Sequence, residues 1–285
     1  EKKAITLINK DFTANTISAG SVSHLLNVLN DYKITINAHK ADRIVATATS
    51  GIRSAANRNS VIDTLETGSG IKIRVIDGNK EAELAWKGVK NAVKFDESPV
   101  LIIDIGGGSI EFIICNNLGI IWKSSYDIGV ARMLVKYGFS DPLSDDDIKN
   151  IYSILDSTIS EVFVNCYEYG VKTLVGCSGS FETFAALVKF ECPDCSIDEK
   201  NSANLIDICR FMQIYQKLVT YNEEQRTAMP GMEIIRVKMI LVASVIVKYL
   251  LEKLKVDSFI QSDYSIKEGT LFDYIEERET LGTDG

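Results

Sequence analysis

The spacing of apolar residues changes period repeatedly along this chain, and each change predicts an element. Val22, Leu25, Leu26 and Leu29 fall on one face at helical spacing, which predicts a helix over residues 21–32. Residues 4–8 are a short apolar run, residues 43–47 read as a buried strand, and residues 71–76 alternate as a strand with one wet face should. The turn Asp77-Gly78-Asn79-Lys80 precedes a helix predicted over 81–93. Two β-branched runs, 100–105 and 110–114, flank Gly106-Gly107-Gly108-Ser109 and predict buried strands joined by a tight hairpin. A third strand over 119–125 leads through Gly129-Val130-Ala131-Arg132 into a helix. Ile148, Ile151, Ile154, Leu155, Ile159 and Val162 predict one long amphipathic helix over 145–168. A strand over 173–176 passes through Cys177-Ser178-Gly179-Ser180 to a helix over 181–190, and 191–201 reads as an insertion loop. Helices over 203–220 and 234–254, a strand over 256–261 and a helix over 267–278 complete an α/β order.

Chemistry collects at the loops. Glycine carries no Cβ, so it accepts positive φ and lets a ligand approach the backbone; Gly106 to Ser109 can therefore aim several amides at one phosphate. Asp104 and Glu111 stand at the two mouths of that turn. A carboxylate beside a phosphate cradle repels the phosphate unless a cation stands between them, and hard oxygen ligands suit Mg²⁺. The bland alternative is a structural hairpin with two solvated acids. Residues 173–190 repeat the strand, small-residue loop, helix arrangement that aims amides at an anion, which marks Gly176, Ser178 and Gly179. Glu81 falls in the first turn of its predicted helix, where complementing the helix dipole is the default role. Arg53 is placed in or near a first turn, where its charge opposes the dipole and is either compensated by an anion or solvated.

Bulk properties narrow the class. The chain has 285 residues, 46% hydrophobic and 25% charged, which suits a globular protein with room for two domains. No apolar run approaches the roughly 18 residues that would span a bilayer. A net charge of -8 argues against nucleic acid or an anionic membrane as a partner, so any polyanionic substrate needs a local cluster. The six cysteines lack the density of a disulfide scaffold, which points to a reduced, cytoplasmic protein. Cys192 and Cys195 form one Cys-x-x-Cys without a second pair, half of a zinc site, and read as incidental thiols.

Four stretches, in order and over nearly the whole chain, resemble the exopolyphosphatase and guanosine pentaphosphate phosphohydrolase (Ppx/GppA) family. They are Ala48-Thr-Ser-Gly-Ile-Arg53 to Asn57, Gly78-Asn-Lys-Glu81-Ala82, Asp104-Ile-Gly-Gly-Gly-Ser109-Ile-Glu111 and Ser262-Asp-Tyr-Ser-Ile-Lys-Glu-Gly269. The resemblance implies an α/β fold of two ribonuclease H-like domains facing a central cleft, as in the actin, sugar kinase and chaperone ATPase superfamily. Domain I would cover residues 1–97 and be completed by 266–285, with domain II over 98–265. Family members open with a further strand and an Asp-x-Gly-Ser-Asn-like phosphate loop. The sequence shows none: the chain as given is truncated, those residues are omitted from it, or half the phosphate clamp is lost, and truncation or omission is the expectation. Arg236-Val237-Lys238 replaces the family's Arg-Ala-Asp, and Ser265-Ile266-Lys267 replaces Gly-Leu-Arg.

The implied activity is removal of the terminal phosphate from inorganic polyphosphate or a guanosine penta- or tetraphosphate. Glu81 would activate the attacking water; Gly106, Gly107, Gly108 and Ser109 would bind the terminal phosphate and Arg53 neutralise it. Asp104 and Glu111 would hold Mg²⁺ or another divalent cation, and Gly176, Ser178 and Gly179 the distal phosphates or a nucleotide. A phosphate or alarmone sensor and an ATP-dependent small-molecule kinase are the alternatives, and a homodimer stays open.

Overall fold

The computed structural model describes residues 15–192 and 202–282. By internal contacts the chain forms two compact units, residues 1–78 and 79–285. The expected run over 4–8 lies outside the described residues.

In the first unit, α1 (Ala19–Ala38) is capped by the Ser18 hydroxyl, which accepts from the Ser21 amide at 3.2 Å. It continues well past the expected 21–32. Next come β1 (Ala46–Ala48), the four-residue α2 (Ser50–Arg53), α3 (Arg58–Ser69) and β2 (Ile73–Val75), with β1 and β2 paired in parallel. Ile17, Leu25, Ala55, Val61 and Leu65 form its core. Asn57 clasps Ile17 from both sides, accepting from its amide and donating to its carbonyl, each at 2.9 Å.

The second unit carries α4 (Gly78–Val89), of which Gly78 is the last residue of the first, and a six-stranded sheet. Strands β3 (Val100–Ile105), β4 (Ile110–Asn116) and β5 (Gly119–Tyr126) form an antiparallel meander. β6 (Thr173–Cys177) joins β3 in parallel, β8 (Ser258–Ser262) joins β6 in parallel, and β7 (Ala203–Leu205) closes the edge antiparallel to β8. The order β5-β4-β3-β6-β8-β7 is that of a ribonuclease H-like sheet extended by one strand. One face is covered by α4, whose Ala82, Ala85 and Val89 pack on Ile102, Ile113 and Val175. Within this unit, Phe181 and Phe184 of α8 (Gly179–Glu191) pack edge to face with Phe211 of α9 (Ile208–Thr220) and Phe259 of β8, with ring centroids 5.2–6.0 Å apart. Helix α11 (Met239–Leu254) is buried on almost every side, as its nearly unbroken apolar sequence requires. Helix α12 (Ile266–Gly282) ends the described chain.

Four expectations change. The single helix over 145–168 is two, α6 (Asp145–Thr158) and α7 (Ser160–Glu168), broken at Ile159, whose φ of -114° and ψ of 24° leave the helical region. Ser157-Thr158-Ile159-Ser160 holds four weak helix formers, so burying the Ile159 side chain decides the geometry. The helix expected from 203 starts at Ile208, because the Asp207 side chain caps it by accepting from the Arg210 amide at 2.7 Å. Residues before that cap are free to pair as β7. The start expected at 234 is a 3₁₀ turn, Ile234–Arg236, before α11. A short helix, α10 (Glu223–Thr227), is set by a capping box of Asn222 and Gln225. Cys192 is disulfide-bonded, against the expectation of thiols there, while Cys115, Cys166, Cys177 and Cys209 are free. Cys195 lies outside the described residues. No helix among the described residues is long and apolar enough to cross a membrane.

Candidate active site

Strand register lines up a row of side chains on the α4 face of the sheet. Ser125, Glu111, Asp104, Cys177 and Ser262 are successive partners across β5, β4, β3, β6 and β8. Residues in register share a face, so this row continues the apolar rows of Ile113, Ile102 and Val175 as polar groups. The first turn of α4 brings Glu81 to the same place. Glu81, Asp104 and Glu111 are only 5%, 2% and 1% exposed.

Three acids so close and so dry oppose one another's ionisation. Burial pushes the Asp104 carboxyl up to about 7, and the Glu81 charge adds to this, while the Ser178 hydroxyl, the Cys177 thiol and the Arg236 guanidinium act the other way. Burial likewise holds Glu111 well above its usual range, reinforced by Glu81 and Asp104 and opposed by hydrogen bonding from Ser125 and Ser109. The Ser125 hydroxyl donates to Glu111 Oε1 at 2.7 Å. Asp104 Oδ2 is buried with no hydrogen-bond partner.

An orphaned carboxylate oxygen beside a second buried acid fits a hard cation. Among the described residues no set of three or more His, Cys, Asp or Glu is arranged as a metal cage. Mg²⁺ does not need one, since it commonly takes one or two carboxylates and completes its shell with phosphate oxygens and water.

The glycine turn is locked from behind by α5 (Val130–Tyr137). Its own closure is the Gly106 amide donating to the Ser109 carbonyl at 3.0 Å. The carbonyls of Gly106 and Gly107 accept from the amides of Val130 and Arg132, both at 3.0 Å, and that of Gly108 accepts from the Gly129 amide at 3.2 Å and Arg132 Nε at 2.9 Å. Among the described residues the Gly107 and Gly108 amides have no acceptor, which leaves two donors for an anion.

Positive φ is not what this turn requires, contrary to expectation: none of Gly106, Gly107 and Gly108 adopts it. Close approach requires a glycine here, but at Gly129, which faces the turn. A Cβ on Gly129 would lie 2.4 Å from the backbone of Gly107 and Gly108, whereas one on Gly107 would meet only Ala131 Cβ at 3.5 Å. Gly129→Ala is therefore expected to destabilise the protein by about 1–3 kcal/mol as an overpacked contact. Gly107→Ala should leave the melting temperature nearly unchanged; equal melting temperatures for the two variants would refute the interlock.

The second loop divides. Gly176 lies on the opposite sheet face, and its missing Cβ makes room for the Phe181 ring, which would be 1.9 Å away. Ser178 holds φ of 71° and ψ of 176°, a region that favours glycine. Gly179 lies under Arg236, whose Nη2 would be 1.7 Å from a Cβ there. Arg236 thus sets a cation over the first turn of α8; its Nε is buried without a hydrogen bond, with Glu233 Oε2 at 3.7 Å. As candidates, Gly129, Arg132 and Arg236 escaped the sequence patterns, because each acts on residues brought beside it only by folding. Arg53 belongs to the first unit and is the last residue of the single-turn helix α2; its Nη1 donates to the Ile76 carbonyl at 3.1 Å.

A model of the Ppx/GppA phosphatase family matches residues 1–278. The crystal structure of an exopolyphosphatase from Cytophaga hutchinsonii superposes with a TM-score of 0.89 at 30% identity, covering 93% of this chain and 85% of that one. Exopolyphosphatase 2 of Mycobacterium tuberculosis is 24% identical over 262 residues, 87% of this chain and 80% of that protein. The guanosine-5'-triphosphate,3'-diphosphate pyrophosphatase of Pseudoalteromonas translucida is 27% identical over 234 residues, 82% of this chain and 45% of that protein. The expected α/β fold class holds, and the chain belongs to the Ppx/GppA phosphatase family.

Proposed function

We propose that this phosphoanhydride hydrolase removes the terminal phosphate of inorganic polyphosphate or of a guanosine penta- or tetraphosphate, with Glu81 as the base for the attacking water. The observation that carries the reading is the buried trio Glu81, Asp104 and Glu111 beside a turn with two unpartnered amides. Phosphoryl transfer relies on positioning and charge neutralisation more than on covalent chemistry, and these groups are suited to both. The amides of Gly107 and Gly108, with Ser109 beside them, take the terminal phosphate; Glu81 orients a water and accepts its proton. Ser178 and Gly179, with Arg236 above, are assigned to phosphates further along the substrate, and Arg53 to charge neutralisation. A divalent cation held by Asp104 and Glu111 would supply charge neutralisation on the phosphate oxygens when bound. The relatives' names give the kinase and sensor alternatives no support. A cytoplasmic location is part of this reading; the four free thiols support it and the disulfide at Cys192 speaks against it.

Phosphate release from polyphosphate, guanosine pentaphosphate and ATP, each across a Mg²⁺ titration, tests the function; release from ATP alone would overturn it. Asp104→Asn should abolish Mg²⁺-dependent release while stabilising the metal-free protein at neutral pH. The sign follows from a carboxyl whose value is 3.8 when solvated and about 7 when buried. Its stabilising contribution is complete below pH 3.8 and is lost as pH rises through 7, a loss asparagine does not suffer. Melting temperatures of the two proteins should coincide near pH 4 and diverge by pH 8, asparagine higher. Parallel melting curves would show that Asp104 carries no buried charge.

A further inference from the structure

Glu81 stands in the first turn of α4, and the first turn is where a helix satisfies least of its own backbone. The local sequence does little to hold it, since Gly78 and Asn79 are weak helix formers. A ladder of ion pairs to α12 does. Asp273 is buried, and its Oδ1 accepts from Lys80 at 2.9 Å and from Lys87 at 2.7 Å, two lysines seven residues and two turns apart on α4. Lys80 is steadied by Glu83 at 2.9 Å, and Lys87 also donates to Glu276.

Beside these rungs the two helices meet backbone to backbone. A Cβ on Gly269 would lie 1.7 Å from the Leu84 carbonyl oxygen, and one on Gly88 2.1 Å from that of Ser265. Such a contact fixes the separation of the helices, and the packing of Ala82, Ala85 and Val89 on the sheet opposes rotation of α4 along its middle. One carboxylate gripping lysines two turns apart extends that opposition to the first turn, where Glu81 stands. The Lys80, Lys87 and Asp273 side chains are largely sheltered, so water and salt screen these pairs less than surface ones.

We infer that Asp273 is a positioning residue for the hydrolysis: through Lys80 and Lys87 it holds α4 at the rotation that keeps Glu81 beside Asp104 and Glu111. This rests on the reading of Glu81 as the base. None of the ladder residues is placed on the phosphate, so a lost rung should act on turnover and not on binding.

Steady-state phosphate release from polyphosphate by the full chain tests it, using Asp273→Asn, Lys87→Met, Glu81→Gln and the double variant Glu81→Gln/Asp273→Asn. A misplacement of about 1 Å is worth about 10²-fold, so Asp273→Asn and Lys87→Met should each lower kcat by about 10- to 100-fold with KM within about twofold. In the Glu81→Gln background, Asp273→Asn should remove less than about twofold more, because it acts through a base no longer present. A folded Asp273→Asn enzyme with normal kcat, or a loss that multiplies in full on top of Glu81→Gln, would overturn the inference. Lys87→Met leaves Asp273 paired to Lys80 and decides the matter if Asp273→Asn does not fold. Should Glu81→Gln itself remain active, the reading of the base fails and takes this inference with it. A dead Glu81→Gln beside an intact Asp273→Asn refutes the positioning role alone.

Discussion

Glu81→Gln is expected to lower kcat by about 10²- to 10⁴-fold with KM unchanged or lower, the span that general acid–base catalysis typically contributes. The substitution keeps the size and shape of a side chain that is 5% exposed, so packing against the sheet should survive. Its neighbours should become easier to ionise, because the Glu81 charge is one of the influences raising both Asp104 and Glu111. Removing a negative charge beside a bound polyanion also favours the ground state, which is why KM should not rise. A helix-dipole role predicts something much smaller, about 0.3–1 kcal/mol of stability with turnover preserved. Steady-state kinetics on polyphosphate separates the two. Retention of more than roughly a tenth of wild-type kcat would remove Glu81 from catalysis, since tenfold is only about 1.4 kcal/mol and needs no base.

Asp141→Ala is expected to cost about 3 kcal/mol of stability. Arg226 is completely buried and grips Asp141 with two parallel hydrogen bonds, Nη1 to Oδ1 at 2.8 Å and Nη2 to Oδ2 at 2.6 Å. Two of its other three N–H groups reach the Val237 and Tyr221 carbonyls at 3.1 and 2.5 Å. Deleting one partner of a buried pair typically costs about 3–5 kcal/mol, because the other charge is left uncompensated. The Asp141 side chain is 34% exposed, which argues for the low end. Replacing both residues with apolar ones should restore much of the loss. Urea unfolding with an unchanged slope measures it, and a loss below about 1 kcal/mol would mean that the backbone carbonyls alone satisfy the guanidinium.

What could be read in advance was whatever neighbours along the chain decide. The two β-branched runs on either side of four small residues predicted the hairpin, and its register makes Asp104 and Glu111 direct partners. Sequence periodicity could not show that the row continues through Cys177 and Ser262, since these come from strands more than 70 residues downstream. The break at Ile159 was hidden for a related reason: apolar spacing continues across it, and only burial of that side chain selects the kink. No local pattern in the sequence marks Asp273 or Arg226. Their importance comes from partners 186 to 193 and 85 residues away.

The interlock between the glycine turn and α5 bears on the thermodynamics of anion capture. Three successive glycines would ordinarily form the loosest segment of a chain, and a ligand ordering them would forfeit about 1–2 kcal/mol per residue in backbone entropy. Here every one of their carbonyls is already held by the backbone or side chain of residues 129–132. That entropy is therefore surrendered during folding and not during binding, so an incoming phosphate meets a pair of donors already fixed in space, and the entropic penalty of its capture falls on the ligand alone.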